Sequence, residues 1–239
     1  MTGALAGQIA LVTGASRGIG AATAEALAAA GAHVILTARD TKALEAVEDR
    51  IFTGGGAATI APLDLVEAES IGRLAQAVAE RWGKLDCLIL NAAMLGTLAP
   101  VPHYDAKEFA AVLTLNVGAQ QALLSAFDPL LQKSEDAKVI GLTSSVAATP
   151  RAFWGSYGAS KAAFETLLGA YAEENRNIGR VKVAIIDPGA TATKMRASAY
   201  PGEDATTLKG PEVVGARIAA LVAEGFVTGW RERVGGEVP

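Results

Sequence analysis

Tyr157 and Lys161 are the residues whose types and spacing carry the clearest chemical meaning in the sequence. Four positions apart on a helix, they share one face a turn apart. A phenol with its pKa near 10 is a slow acid–base catalyst at neutral pH, so that pKa has to fall by ~2–3 units, about 3–4 kcal/mol. An ammonium ~4 Å away contributes about 4 kcal/mol at an effective dielectric of 20. One lysine is therefore expected to suffice, and the chemistry would be proton transfer to or from an oxygen such as that of a carbonyl. The same pair also occurs on solvated helix faces, so its meaning depends on what accompanies it.

A second cluster is Thr13-Gly14-Ala15-Ser16-Arg17-Gly18-Ile19-Gly20, between an apolar run and a helical pattern. Gly14 permits a tight turn, Gly18 a close approach of backbone to a pyrophosphate, and Gly20 close packing of helix on sheet. The helix that follows presents unpaired N–H groups and its positive dipole end to phosphates. Placed between a strand and a helix, the loop is expected to bind a dinucleotide rather than serve only as a turn.

The elements that would position these groups alternate along the chain. Short apolar runs at 9–12, 33–37, 58–63, 85–90, 139–142 and 181–186 read as strands. Helical patterns fill 19–30, the stripe Leu44, Val47 and Ile51, the stripe Ile71, Leu74, Val78 and Trp82, and then 105–131 and 157–174. A last helix begins near Pro211. Gly31 and Gly83 sit where helices should stop. Strands apolar on both faces alternating with helices predict one α/β domain over 1–239, a doubly wound parallel sheet covered by helices on both faces.

Composition excludes several classes. The 239 residues are 51% hydrophobic and 19% charged with a net charge of −4, which argues against disorder and against nucleic acid or anionic membrane as partners. The lone Cys87 allows no internal disulfide, and neither it nor His33 and His103 show metal-ligand spacing, so no metal is expected. The first basic residue is Arg17, so no secretory leader is expected, and the chain is read as soluble and cytoplasmic. The uncharged stretch 109–127 contains Asn116, Gln120 and Gln121, which favours a buried or interface helix over a membrane span.

From about Ala6 to Pro211 the sequence resembles the short-chain dehydrogenase/reductase family, in its short single-domain branch. The resemblance rests on the glycine loop, Asp64-Leu65, Asn91-Ala92-Ala93, Asn116, Ser144-Ser145, Tyr157 to Lys161 and Pro188-Gly189, in that order. It implies a Rossmann-like sheet of about seven strands. It also implies hydride transfer between NADP(H) or NAD(H) and a ketone or secondary alcohol, with Tyr157 as general acid/base. Lys161 would lower the Tyr157 pKa and bind the nicotinamide ribose, and the positive ring of the oxidised nicotinamide would help. A serine would hold the carbonyl, and Asn116 would hold a water relaying protons through Lys161. Spacing favours Ser144 modestly over Ser145, whereas the phrase Ser-Val-Ala aligns Ser145. Asp64 and Leu65 would flank the adenine, and Asn91, Ala92 and Ala93 would line the groove. Pro188, Gly189, Thr191 and Thr193 would lie under the nicotinamide. An Asp and an Asn that end strands also commonly cap the next turn.

By the same resemblance, the position where an acid would bind the adenosine ribose falls at Ala38, and Arg39 follows it. With Arg17 in the glycine loop, two guanidinium groups near one phosphate favour NADP(H) over NAD(H), although Asp40 could partly neutralise Arg39. Residues 190–209 read as a substrate lid or a static surface loop. Met94, Leu95, Phe153 and Trp154 read as pocket wall or core. Relatives usually end in an apolar strand, but the segment 227–236 is short and charged, with Arg233 at an apolar position, which leaves a seventh strand open. Helix surfaces at 109–127, which is uncharged, and at 164–171, whose one charge is Glu165, fit a homodimer or homotetramer. The alternative function is a catalytically silent NADP(H)-binding sensor or scaffold on the same fold.

Overall fold

The computed structural model describes residues 3–177 and 179–235. Strands and helices alternate as β1 (Ile9–Thr13), α1 (Gly18–Ala29), β2 (His33–Thr37), α2 (Thr41–Thr53), β3 (Ala57–Ile60), α3 (Ala68–Trp82) and β4 (Cys87–Leu90). The second half runs α4 (Ala106–Leu113), α5 (Ala119–Leu131), β5 (Ala137–Leu142), α6 (Gly155–Asn175), β6 (Val181–Asp187), α7 (Lys194–Ala199), α8 (Pro211–Glu224) and β7 (Trp230–Arg233). The seven strands form one parallel sheet in the order β3-β2-β1-β4-β5-β6-β7. The strand order reverses between β1 and β4, so the crevice at their carboxyl ends is where a ligand is expected in an open α/β sheet.

Both faces of the sheet are dry. Along β1, Ala10 and Val12 join the core shared with α1, α2 and α8, whereas Ile9 and Leu11 join the core shared with α3, α5 and α6. This explains why the strands read as continuous apolar runs without polar alternation. Asp40 caps α2 by accepting from the Ala43 N–H, and Asp105 caps α4 by accepting from the Glu108 N–H. Gly83 ends α3 in the left-handed region at φ 74°.

Three segments differ from their sequence expectation. The run 58–63 is a strand only to Ile60: Ala61 and Leu63 still donate to Leu36 and Ala38, but Pro62 between them has no N–H to give. The helix expected over 105–131 contains a π-turn at Thr114–Gly118, whose extra residue per turn closes with Ala119 N–H on the Thr114 carbonyl. Over Ala106–Leu131 this helix is apolar and long enough to cross a membrane, and only 33% of its most apolar stretch is buried within the chain. The open question of the last strand is resolved in its favour, because β7 pairs parallel with β6 from Ala184↔Trp230 to Asp187↔Arg233. As an edge strand it tolerates charge, which discourages pairing with other chains. Arg217 grips Glu232 with two bonds of 2.7 and 2.9 Å, and Arg233 lies 3.7 Å from Asp187. Gly236 lies outside the described residues.

Helix α6 reaches the sheet through a gap in β5. A methyl group at Gly141 would overlap Leu168 Cδ1 and come within 2.8 Å of the Phe164 ring, and both side chains are fully buried. Gly141→Ala is expected to lower stability by about 1–3 kcal/mol, the usual cost of overpacking a tight core. Urea unfolding measures this, and an unchanged midpoint would show that α6 is not seated on Gly141.

Candidate active site

The glycine loop is held from below by Asn91. Its Nδ2 donates to the carbonyls of Thr13 (2.8 Å) and Gly14 (3.3 Å), while the N–H groups of Asn91 and Ala92 both donate to Thr13 Oγ1. Asn91 thus fastens the turn at the switch point, as an Asn ending a strand commonly does. Thr13 is the partner that sequence reasoning missed, although it begins the motif. Gly14 (φ 65°) and Gly18 (φ 57°) occupy the left-handed region, and a Cβ on Gly20 would overlap the Gly14 carbonyl oxygen. Ser16 is half-buried, Ile19 packs on the core beneath, and Arg17 is exposed. Helix α1 begins with no side-chain cap and no acidic residue in its first turn. An uncapped, acid-free N-terminus behind a close glycine cradle fits a phosphate-bearing dinucleotide.

Around this cradle the other expected groove residues are divided. Leu65 is buried, and Asp64 folds one oxygen onto the Val66 N–H with the other 4.0 Å from Arg39. Asp64, not Asp40, is the acid beside Arg39, because Asp40 is occupied at the α2 cap. The Arg39 side chain remains 78% exposed, so this pair leaves it available. Ala92 and Ala93 are half-buried. Beyond β6, Gly189 turns at φ 64° and Thr191 is buried, its hydroxyl bonded to the carbonyls of Pro188 and Gly189. Thr193 caps α7, and its methyl group would lie 3.5 Å from a Cβ on Gly18, so the segment 190–209 reaches across to the glycine loop.

Tyr157 and Lys161 lie in the first two turns of α6, both buried at 7% and 3% exposure. The Lys161 ammonium donates to the Leu142 carbonyl at 2.7 Å and stands 5.8 Å from the centre of the Tyr157 ring. Burial pulls the Lys161 pKa down to about 8, against the nearby Glu165 carboxylate, which raises it. Burial also pushes the Tyr157 phenol above its ordinary value, and the Asp187 charge pushes it further. This corrects the expectation that one lysine would suffice to lower it. Desolvation outweighs the ammonium, which is turned onto a carbonyl.

The two serines separate. Ser145 Oγ accepts from Arg151 at 3.3 Å, whereas the hydrogen bonds among the described residues leave the Ser144 hydroxyl unused. Asn116 is 1% exposed, within the π-turn. Its Nδ2 donates to the Met94 carbonyl and Ser160 Oγ, and its Oδ1 accepts from the Met94 N–H, each at 2.9 Å. Both amide hydrogens are thereby engaged in fastening the loop after β4 to α6. Behind the site, Glu165 accepts from Thr143 Oγ1 (2.5 Å) and Arg231 (2.6 Å), tying α6 to β5 and β7. Nothing in the sequence signals this contact, since the three residues meet only in the folded chain.

The apolar candidates form a rim rather than a closed wall. Phe153 is exposed and strained at φ 72°, and Met94 and Leu95 are half-buried. Trp154 stands edge-on to Tyr157 (6.1 Å between centres) and 5.6 Å from Tyr200, which comes from the segment 190–209. The Arg196 guanidinium lies 3.7 Å over the Tyr200 ring and pairs with Glu203.

The family described as short chain dehydrogenase matches residues 8–204. The chain belongs to this family of oxidoreductases. As a short-chain dehydrogenase it is 39% identical over 207 residues to the oxidoreductase YciK of Escherichia coli K12, covering 85% of this chain and 81% of that protein. A short chain dehydrogenase structure from Pseudomonas syringae superimposes with a TM-score of 0.94 at 38% identity, covering 98% of this chain and 97% of that one. One from Shigella flexneri, complexed with NADP, gives 0.93 at 34% identity, covering 99% and 100%.

In this short-chain dehydrogenase, carbon-13 NMR of the Lys161 side chain, assigned with Lys161→Arg, is expected to titrate near pH 8, charged below and neutral above. Glu165→Gln removes the carboxylate that favours the ammonium, so it should move that midpoint lower. A midpoint above about 10, the ordinary lysine range, would contradict the buried seat described for this amine.

Proposed function

We propose that this oxidoreductase uses NADP(H) to interconvert a ketone and a secondary alcohol, with Tyr157 as general acid/base. The observation that carries the reading is the buried Tyr157 phenol one turn from the buried Lys161, on a helix that packs through Gly158 against the Val146 carbonyl of the loop carrying Ser144. When bound, the nicotinamide would supply or accept the hydride. Gly14, Gly18 and Gly20, with the start of α1, would receive its pyrophosphate.

In the reduction direction Tyr157 gives its proton to the carbonyl oxygen as negative charge develops there. Ser144 donates a hydrogen bond to the same oxygen and orients it. Lys161 holds positive charge near the phenolate left behind and binds the nicotinamide ribose, and Asn116 fixes the loop and helix that frame the pair. Arg39 and Arg17, exposed beside the adenosine end, support NADP(H) over NAD(H), and the Shigella neighbour's complex with NADP agrees with this. The largely unburied outer face of Ala106–Leu131 supports a homodimer or homotetramer built on that helix.

A panel of carbonyl compounds followed by loss of NADPH absorbance tests the reading. Tyr157→Phe should lower turnover more than about a hundredfold while NADPH still binds, since a positioned proton donor contributes ~10²–10⁴-fold. Near-normal turnover would remove Tyr157 from the chemistry, and NADPH binding without consumption of any carbonyl by the unaltered chain would favour a silent sensor. Arg39→Asp should raise the KM for NADPH about tenfold and spare NADH, because a charge-assisted phosphate contact is lost. An equal effect on both cofactors would refute the phosphate role.

A further inference from the structure

Arg151 is the only charged residue between Lys138 and Lys161, and it sits at the rim of the site on the loop between Ser145 and α6. Among the described residues its guanidinium bonds only neutral hydroxyls, with Nη2 3.3 Å from Ser145 Oγ and Nη1 3.4 Å from Tyr200 Oη. Among the described residues no carboxylate lies within ion-pair distance of it. The neighbouring rim cation is different: Arg196 is neutralised by Glu203, with one hydrogen bond at 2.6 Å and a second beside it, and it is stacked on Tyr200. The remaining acid of that segment, Asp204, is turned onto Thr206.

The position of Arg151 ties it to the reacting groups from two sides. Through Ser145 it adjoins Ser144. Through Tyr200 it adjoins Trp154, whose ring stands against Tyr157. Two long bonds to neutral acceptors are weak, and a guanidinium exchanges them readily for a shorter, charge-assisted pair with a planar anion. Its one guanidinium, with the neighbouring Arg196 already paired to Glu203, matches a single planar carboxylate.

Resting on the reductase reading above, we propose that the substrate is an oxo acid, or the matching hydroxy acid, whose carboxylate is received by Arg151 while its carbonyl lies between Ser144 and Tyr157. Arg151 is then the specificity-determining residue of the site. Tyr200 shields the pair from water without carrying charge itself, and the carboxylate displaces Tyr200 Oη and Ser145 Oγ from the guanidinium.

The test compares kcat/KM for 3-oxo and 4-oxo acids with that for their methyl esters, using NADPH, in the unaltered chain and in Arg151→Gln, Arg151→Lys and Tyr200→Phe. The unaltered chain is expected to favour at least one acid over its ester by about tenfold, the size of one exposed charge-assisted contact. Arg151→Gln should collapse that ratio towards one, with the loss falling on the acid through KM. Arg151→Lys should keep part of the ratio, and Tyr200→Phe should keep most of it. If Arg151 only latches the segment 190–209, Arg151→Gln and Tyr200→Phe will lower acid and ester alike, and the proposal is wrong. Turnover of esters with no preference for any acid also overturns it and leaves the reductase reading standing. NADPH binding, followed by its fluorescence, with no turnover of either series defeats both.

Discussion

Lys161 occupies the dry seam between α6 and the end of β5, where its ammonium donates to the Leu142 carbonyl at 2.7 Å. A buried amine left without a partner is costly, so this bond fixes the rotation of α6 about its own axis. Gly141, immediately before Leu142, removes the side chain that would otherwise hold the helix away, and Phe164 and Leu168 fill the space. With α6 seated there, Gly158 packs against the Val146 carbonyl of the loop that follows β5, and Tyr157 is buried between Trp154 and Lys161. The Thr143–Glu165–Arg231 chain then braces the same helix from behind, through the edge strand β7.

The electrostatics of that seam decide how the site works. Removing water raises the phenol and lowers the amine, so both groups are driven towards their neutral forms. Any charge that appears during reaction is therefore felt strongly, since little solvent screens it. A lysine with a pKa near 8 can still be charged at neutral pH, and it is most valuable when the phenol has just lost its proton. Burial alone makes the phenol hold its proton, and a positive charge brought close to it would stabilise the phenolate and ease proton release.

Much of this was legible in the sequence, for identifiable reasons. Leu11, Val12, Ile35 and Leu36 are buried because both sheet faces are covered, and that produces the unbroken apolar runs by which strands were recognised. Leu44, Val47 and Ile51 are buried on α2 as their spacing required. The π-turn at Asn116 was invisible, since one extra residue in a long apolar helix leaves the hydrophobic pattern nearly intact. Strand β7 was obscured because an edge strand satisfies its charges laterally, as Glu232 does with Arg217. The sign of the Tyr157 shift escapes the sequence for a deeper reason: spacing gives the distance to a lysine along the helix, whereas the burial of the phenol and its nearness to Asp187 of β6 arise only in the folded chain. Arg151 carried no motif, although its isolation in an uncharged stretch was a signal available from the start.

The protonation state of Tyr157 is the point on which the account turns, and it can be read directly. Ultraviolet difference titration of the unaltered chain against Tyr157→Phe isolates this phenol from the other three tyrosines. Without cofactor, no tyrosinate attributable to Tyr157 is expected below about pH 10, its ordinary value, and adding NADP⁺ should bring its ionisation to lower pH. A tyrosinate signal from Tyr157 near neutral pH in the cofactor-free protein would contradict the burial-dominated site described above.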